Sequence, residues 1–154
     1  MDRLEARLLE ALQRDSSKSV AQLAELVGMS PSACHHRIRM LEEQGLIAGY
    51  AARLDPQRIG LRLMAIVEIT LTSQSSEVMD RFEAAVADYD DILECQLMSG
   101  RSDYLLRVEA RDLEHFDRIH RDCLSRLPGV STMHTSFAIR QIKRWRGYPV
   151  SASA

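Results

Sequence analysis

The chain has 154 residues, 20 Lys+Arg against 22 Asp+Glu, a formal net charge of −2 and a pI near 6.2. That length allows one domain or two small ones, each with a modest core. The acidic balance excludes a nucleic-acid binder that works through a global positive field, so such binding has to rest on a local patch doubled by self-association.

Leu4, Leu8, Leu9 and Leu12 recur at helical spacing and predict an amphipathic helix from about Asp2 to Gln13. Two further helices follow within the stretch Ser19 to Leu46. Ser19 can cap the first of them, Gln22 can close a capping box, and Leu23, Leu26 and Val27 form its apolar stripe. Gly28 is placed to stop that helix in the left-handed conformation. Ser30 and Pro31 then open the next helix as cap and first residue. Ala24 is small enough for two helices to cross closely. This is the layout of a helix-turn-helix.

On the second helix of the pair, Cys34, Ile38 and Leu41 share one side, while Ser32, His35, His36 and Arg39 share the other. Hydrogen-bonding side chains near the N-terminus of such a helix reach base edges in the major groove, and Arg39 is placed for a phosphate. The DNA-contacting set is therefore Ser30, Ser32, Ala33, His35, His36, Arg37 and Arg39. Arg37 lies at the border of the apolar stripe, where a packed stem paired with an acid competes evenly with a DNA contact. Adjacent His35 and His36 point about 100° apart and cannot both ligate one metal ion from that helix. His115, His120 and His134 show no metal-ligand spacing either, and no metal or cofactor is expected.

After Gly45, residues 47–54 are extended in character and end in the turn signal Asp55-Pro56, predicting a hinge strand and linker over 47–60. Residues 63–71 then read as a strand closed by the polar run TSQSS. Val78, Phe82, Ala85 and Val86 mark a helix, residues 92–98 and 104–108 alternate as strands, and Leu113, Phe116, Ile119, Cys123 and Leu127 mark another helix. A last strand is predicted over 130–142. The order β-α-β-β-α-β is a ferredoxin-like split arrangement, with both helices on one face of an antiparallel sheet. Apolar residues on both faces of the strands, such as Ile66, Val67 and Ile69, imply that a second copy of the chain covers the open face. The expected fold is thus α+β: a helix-turn-helix (winged-helix-like) domain over 1–46, a linker over 47–60, a ferredoxin-like domain over 61–143 and a tail over 144–154 that ends in the short run SASA.

The segments LAELVGMSPSACHHRIRMLEEQGLIAGYAARLDP, SGRSDYLLRV and LPGVSTMHTSFAIRQIK, in this order and spacing, resemble the Lrp/AsnC family of feast/famine regulators over nearly the whole chain. The resemblance implies a sequence-specific regulator of transcription that binds double-stranded DNA. It further implies dimers formed through the second domain, their assembly to tetramers or octamers, and an amino acid or related metabolite bound between dimers. Carried over by motif, the effector site comprises Leu97, Met98, Ser99, Gly100, Asp103 and Tyr104, together with Thr135, Ser136, Phe137 and Ala138 of the last strand. Asp103 would pair with an α-ammonium group and Gly100 would let the backbone approach the ligand. The competing reading makes Gly100 to Tyr104 a plain β-turn in which Asp103 caps backbone groups.

Sirohaem decarboxylases share both domains and offer an enzymatic alternative, but the extra His, Arg and Asn-Tyr motifs expected of them are missing, so the expectation is a protein that is not an enzyme. Arg140, Lys143, Arg144 and Arg146 form a basic run, read as solvated charge or an oligomer contact, with non-specific DNA wrapping as the alternative. Cys34, Cys95 and Cys123 have no paired spacing and read as buried thiols of a reducing compartment. Neither a signal peptide nor a twenty-residue apolar run occurs, which points to a cytoplasmic protein without membrane contact.

Overall fold

The computed structural model describes residues 1–151, so the last three residues of the tail over 144–154, and of its run SASA, lie outside the described residues. The chain forms two compact units, one comprising Met1–Arg53 with the segment from Ile142, the other Leu54–Gln141.

The first unit is helical. Helix α1 (Arg3–Arg14) starts at Asp2, whose carboxylate accepts the N–H groups of Leu4 and Glu5, both at 2.8 Å, while the Glu5 side chain accepts the Asp2 N–H at 2.8 Å. Helix α2 (Val20–Val27) carries the expected Ser19–Gln22 capping box and ends at Gly28, whose φ of 78° is the left-handed conformation a Cβ would resist. Ser30 caps α3 (Pro31–Glu43) through its hydroxyl and the Ala33 N–H, at 3.3 Å. Leu8, Leu12, Leu23, Ala24, Val27, Cys34 and Leu41 form the shared core. Truncating a fully buried leucine such as Leu8 to alanine there costs about 2–5 kcal/mol.

Residues 47–54 do not form the expected strand. A strand needs a ladder partner, and among the described residues the helical unit contains none. After this segment, residues 56–60 form a turn.

The second unit is a four-stranded antiparallel sheet in the order β2-β3-β1-β4, built from β1 (Leu63–Leu71), β2 (Ile92–Leu97), β3 (Tyr104–Ala110) and β4 (Val130–Phe137). Helix α4 (Ser76–Ala87) links β1 to β2, and α5 (Leu113–Asp122) with a 3-10 turn (Leu124–Arg126) links β3 to β4. Ala65, Val67, Ile69 and Leu71 of β1 and Tyr104, Leu106, Val108 and Ala110 of β3 alternate onto the face covered by Phe82, Val86, Phe116 and Ile119.

β4 ends at Phe137 and not near residue 142. Ala138 N–H still reaches the Met64 carbonyl at 2.9 Å, but β1 begins at Leu63 and offers nothing beyond. The open face is less apolar than its sequence pattern implied. Val67 and Ile69 both point to the helices, leaving Ile66 beside a cluster in which Arg107 bonds Glu94 at 2.8 Å and Glu109 at 3.2 Å. The Arg107 Nε is buried without a hydrogen-bond partner among the described residues. Cys34 and Cys123 are buried as expected, whereas Cys95 is exposed because it lies on the sheet's outer strand.

Candidate functional site

Two groups of residues were marked by the sequence, and each lies within a single unit. In the helical unit, Ser32, Ala33, His35, His36 and Arg39 are all exposed on α3, opposite the buried Cys34 and Leu41. Ser30, the helix cap, has its hydroxyl 3.3 Å from that of Ser32. Arg39 is bonded along the helix to Glu43 at 2.8 Å, an exposed pair worth at most about 1 kcal/mol.

Arg37 is different. Its guanidinium bonds the Asp2 carboxylate and lies 3.4 Å from that of Glu5, tying the start of α1 to the middle of α3. The Asp2 carboxyl is held below the usual range, first by the Glu5 N–H it accepts and then by Arg37, and the same bond raises the Arg37 pKa. Of the two readings, the structure favours the packed and paired one. The acids in that pairing were missed from the sequence, although Asp2 and Glu5 carry the same capping-box spacing as Ser19 and Gln22.

The second group divides into two corners of the sheet. At one corner the β2–β3 turn brings together Leu97, Met98, Ser99, Gly100 and Asp103, with the Met98 N–H donating to the Asp103 carbonyl at 2.8 Å. The Asp103 carboxylate is engaged twice, accepting the Leu71 N–H and the Gln74 side-chain amide, each at 2.7 Å. Its own N–H donates to the Ile69 carbonyl at 2.8 Å. Asp103 therefore braces the exit of β1 against the turn. Gln74 lies in the polar run that closes β1, and nothing in its local spacing pairs it with Asp103.

The Tyr104 side chain turns away from this corner. Its ring is in the core, 4.6 Å from that of Phe82, and its hydroxyl donates to Glu83 at 2.6 Å. Burial first, then this bond to a carboxylate, pushes the phenol well above its ordinary pKa. The inward orientation follows from alternation along β3, since Tyr104 is two and four residues from the buried Leu106 and Val108.

Thr135, Ser136, Phe137 and Ala138 lie at the opposite corner. β2 and β4 are the two outer strands, and Phe137 is level with Ala65 while Leu97 and Tyr104 are level with Ile69. Strand spacing and rise put Leu97 and Phe137 roughly 20 Å apart. Phe137 packs edge-to-face on Phe116 at 5.0 Å, and Ser136 points to the open face. One chain thus does not close a pocket from both sets. Among the described residues there is no cluster of His, Cys, Asp and Glu able to hold a metal ion, and no helix long and apolar enough to cross a membrane.

Comparison with known proteins gives a consistent result. Residues 64–148 match the Lrp/AsnC ligand binding domain, and residues 1–48 match a winged helix-turn-helix DNA-binding domain. The leucine-responsive regulatory protein of Escherichia coli (strain K12) is 38% identical over 144 residues, covering 94% of this chain and 88% of that protein. An uncharacterized HTH-type transcriptional regulator of Sinorhizobium fredii is 48% identical over 116 residues, 75% of this chain and 91% of its own length. Among solved structures, an AsnC family transcriptional regulator from Agrobacterium tumefaciens superposes with a TM-score of 0.92 at 36% identity, covering 97% of both chains. A transcriptional regulator from Neisseria meningitidis in complex with L-Met gives a TM-score of 0.88 at 30% identity, covering 94% of this chain and 93% of that one.

Proposed function

The chain belongs to the Lrp/AsnC family of helix-turn-helix transcriptional regulators, and from that premise we propose that it reads duplex DNA through α3 and responds to an amino acid bound by its second domain. The observation that carries the DNA reading is the exposed face of α3, where Ser32, Ala33, His35 and His36 face outward at a capped N-terminus backed by a packed helical core. Ser32 and His36 specify sequence in the major groove, and Arg39 holds a phosphate after leaving Glu43. A dimer sets two copies of α3 in successive major grooves, about 34 Å apart.

The amino-acid class is supported by the leucine-responsive relatives and by the methionine complex of the Neisseria protein. On this reading the effector site needs two copies of the chain, one presenting the turn from Leu97 to Asp103 and the other the end of β4. The protein assembles at least to dimers, works in the cytoplasm and acts by binding, without catalysis.

Fluorescence anisotropy on duplexes from the chain's own upstream region tests the DNA reading. Preference for one duplex over bulk DNA at physiological salt is the expected result. Substituting Ser32 or His36 is expected to change the preferred sequence, and Arg39→Ala to weaken all duplexes alike. Equal affinity for every duplex would refute it. A thermal-shift panel of amino acids tests the effector reading, since a ligand at one hundred times its Kd adds about 2.7 kcal/mol of apparent stability. A panel that moves nothing would refute it.

A further inference from the structure

The C-terminal segment from Ile142 plays no part in the reading above, yet through Tyr148 it follows a defined path on the helical unit. Both ends of one side-chain amide hold it to α1: the Tyr148 N–H donates to Gln13 Oε1 at 2.6 Å, and Gln13 Nε2 donates to the Tyr148 carbonyl at 3.0 Å. Arg53 adds a bond to the Trp145 carbonyl at 3.1 Å. Gly147, at φ 107°, makes the approach possible, because a Cβ there would stand 2.5 Å from Gln13 Oε1.

Charge gives this strap its meaning. Residues 1–53 contain seven acidic and seven basic side chains, so the helix-turn-helix body alone is neutral. Many of its cations are already engaged, as in Arg14–Glu10, Lys18–Asp15, Arg37–Asp2 and Arg39–Glu43. From Ile142 onward the sequence contains Lys143, Arg144 and Arg146 and no acid. The whole net positive charge of the helical unit therefore comes from the strap. Neither Lys143 nor Arg146 enters an ion pair among the described residues. Trp145, the chain's single tryptophan, sits between Arg144 and Arg146 and is 65% exposed, edge-to-face with Tyr148 at 5.6 Å.

We propose that this strap is a phosphate-binding arm of the DNA-reading unit, in which Lys143 and Arg146 grip the duplex backbone outside the contacts made by α3. The proposal rests on the DNA reading above and deepens it. It supplies what a neutral helix-turn-helix in an acidic chain lacks, a local source of counterion release. Because phosphate contacts carry no sequence information, the arm adds affinity without choosing the operator.

The test compares the full-length protein with the double variant Lys143→Ala/Arg146→Ala, which leaves the Gln13 clamp and Trp145 in place. Anisotropy titrations on one duplex are run from 50 to 200 mM salt, with the mass of each protein measured in parallel. Each phosphate contact contributes about 0.9 to the slope of log K against log salt, so losing two per chain lowers the slope by about 1.8. The affinity lost across that salt range then shrinks by roughly ten-fold per chain. The preferred sequence is expected to stay the same, and Trp145 emission in the wild type is expected to change on duplex binding and to recover with salt.

An unchanged slope, or unchanged Trp145 emission in a saturated complex, overturns the arm while leaving the DNA reading in place. A variant that drops to a smaller oligomer overturns it in favour of an assembly contact. If the wild type binds no duplex, the DNA reading itself fails and takes the arm with it.

Discussion

Asp103 separates a ligand contact from a structural brace, and Asp103→Ala measures the difference. The Leu71 N–H lies two residues past Ile69, whose partner Tyr104 is the first residue of β3. The β1–β3 register ends at Ile69, and that N–H donates to the Asp103 carboxylate at 2.7 Å in a partly buried position. A hydrogen bond to a charged acceptor contributes about 1.5–3 kcal/mol, and the exposed Gln74 bond adds at most about 1 kcal/mol. Removing both is therefore expected to cost about 2–3 kcal/mol. For a unit the size of Leu54–Gln141 each kcal/mol moves the melting temperature by about 4–8 °C, so the ligand-free variant should melt about 8–24 °C lower. Asp103→Asn keeps an acceptor oxygen for Leu71 and should recover about half of that loss, whereas Gln74→Ala should lower the melting point by only a few degrees. Thermal unfolding followed by circular dichroism in the absence of amino acids provides the measurement. A variant that melts with the wild type but has lost its amino-acid response would refute the brace and restore Asp103 as the group that meets the ligand.

Arg37→Ala should lower the thermal stability of the protein and leave the salt dependence of DNA binding unchanged, because its charge is used on Asp2 and Glu5; a flattened salt slope at unchanged stability would show a phosphate contact instead. In acid, Asp15 is informative. The Ser17 hydroxyl first, then Lys18, lower its pKa from 3.8 to about 2. A depressed folded-state value means that its contribution is present above pH 3.8 and is lost as pH falls toward 2. Asp15→Asn should therefore remove part of the acid limb of a stability profile, and an identical profile would contradict this account. Among the thiols, Cys95 should react with an exposed-thiol reagent in the native state while Cys34 and Cys123 wait for unfolding. Burial raises the pKa of all three thiols, Cys123 to about 11, so accessibility and not thiolate character separates them, and mass spectrometry of partly labelled protein identifies the site.

What the sequence made legible follows the range of the forces involved. The caps at Ser19 and Ser30 and the stop at Gly28 are written within four residues of the backbone groups they satisfy, and they occur as read. The β-α-β-β-α-β order is likewise legible, because alternation and helical spacing reflect which face meets a core. Features that need a distant partner were not legible. Arg37 finds its acids 35 and 32 positions away, and Asp103 finds Leu71 and Gln74 across the sheet end. The strand expected over 47–54 fails for a related reason, since an extended sequence specifies a willing strand but not a neighbour. Cys95 looked apolar and buried by type, yet strand order put it on an outer strand.

The split between the two halves of the candidate effector site has a thermodynamic consequence for the proposed function. If the turn at Gly100 and the end of β4 served one chain's pocket, ligand binding and assembly could be independent. They lie at opposite corners, on the two outer strands of the sheet. A ligand that needs both corners can bind only where two copies meet, and linkage then requires it to favour the assembly that presents them by as much as assembly favours it. The regulator would respond to its effector through oligomer population, without any rearrangement inside the sheet. DNA binding adds a third linked equilibrium, because two copies of α3 must be held at the spacing of successive grooves. Effector affinity should therefore rise with protein concentration, while substitutions confined to α3 should leave it unchanged in the absence of DNA. Calorimetric titrations at several protein concentrations check the first expectation. An affinity independent of concentration, down to concentrations at which the protein is monomeric, would place the site within one chain.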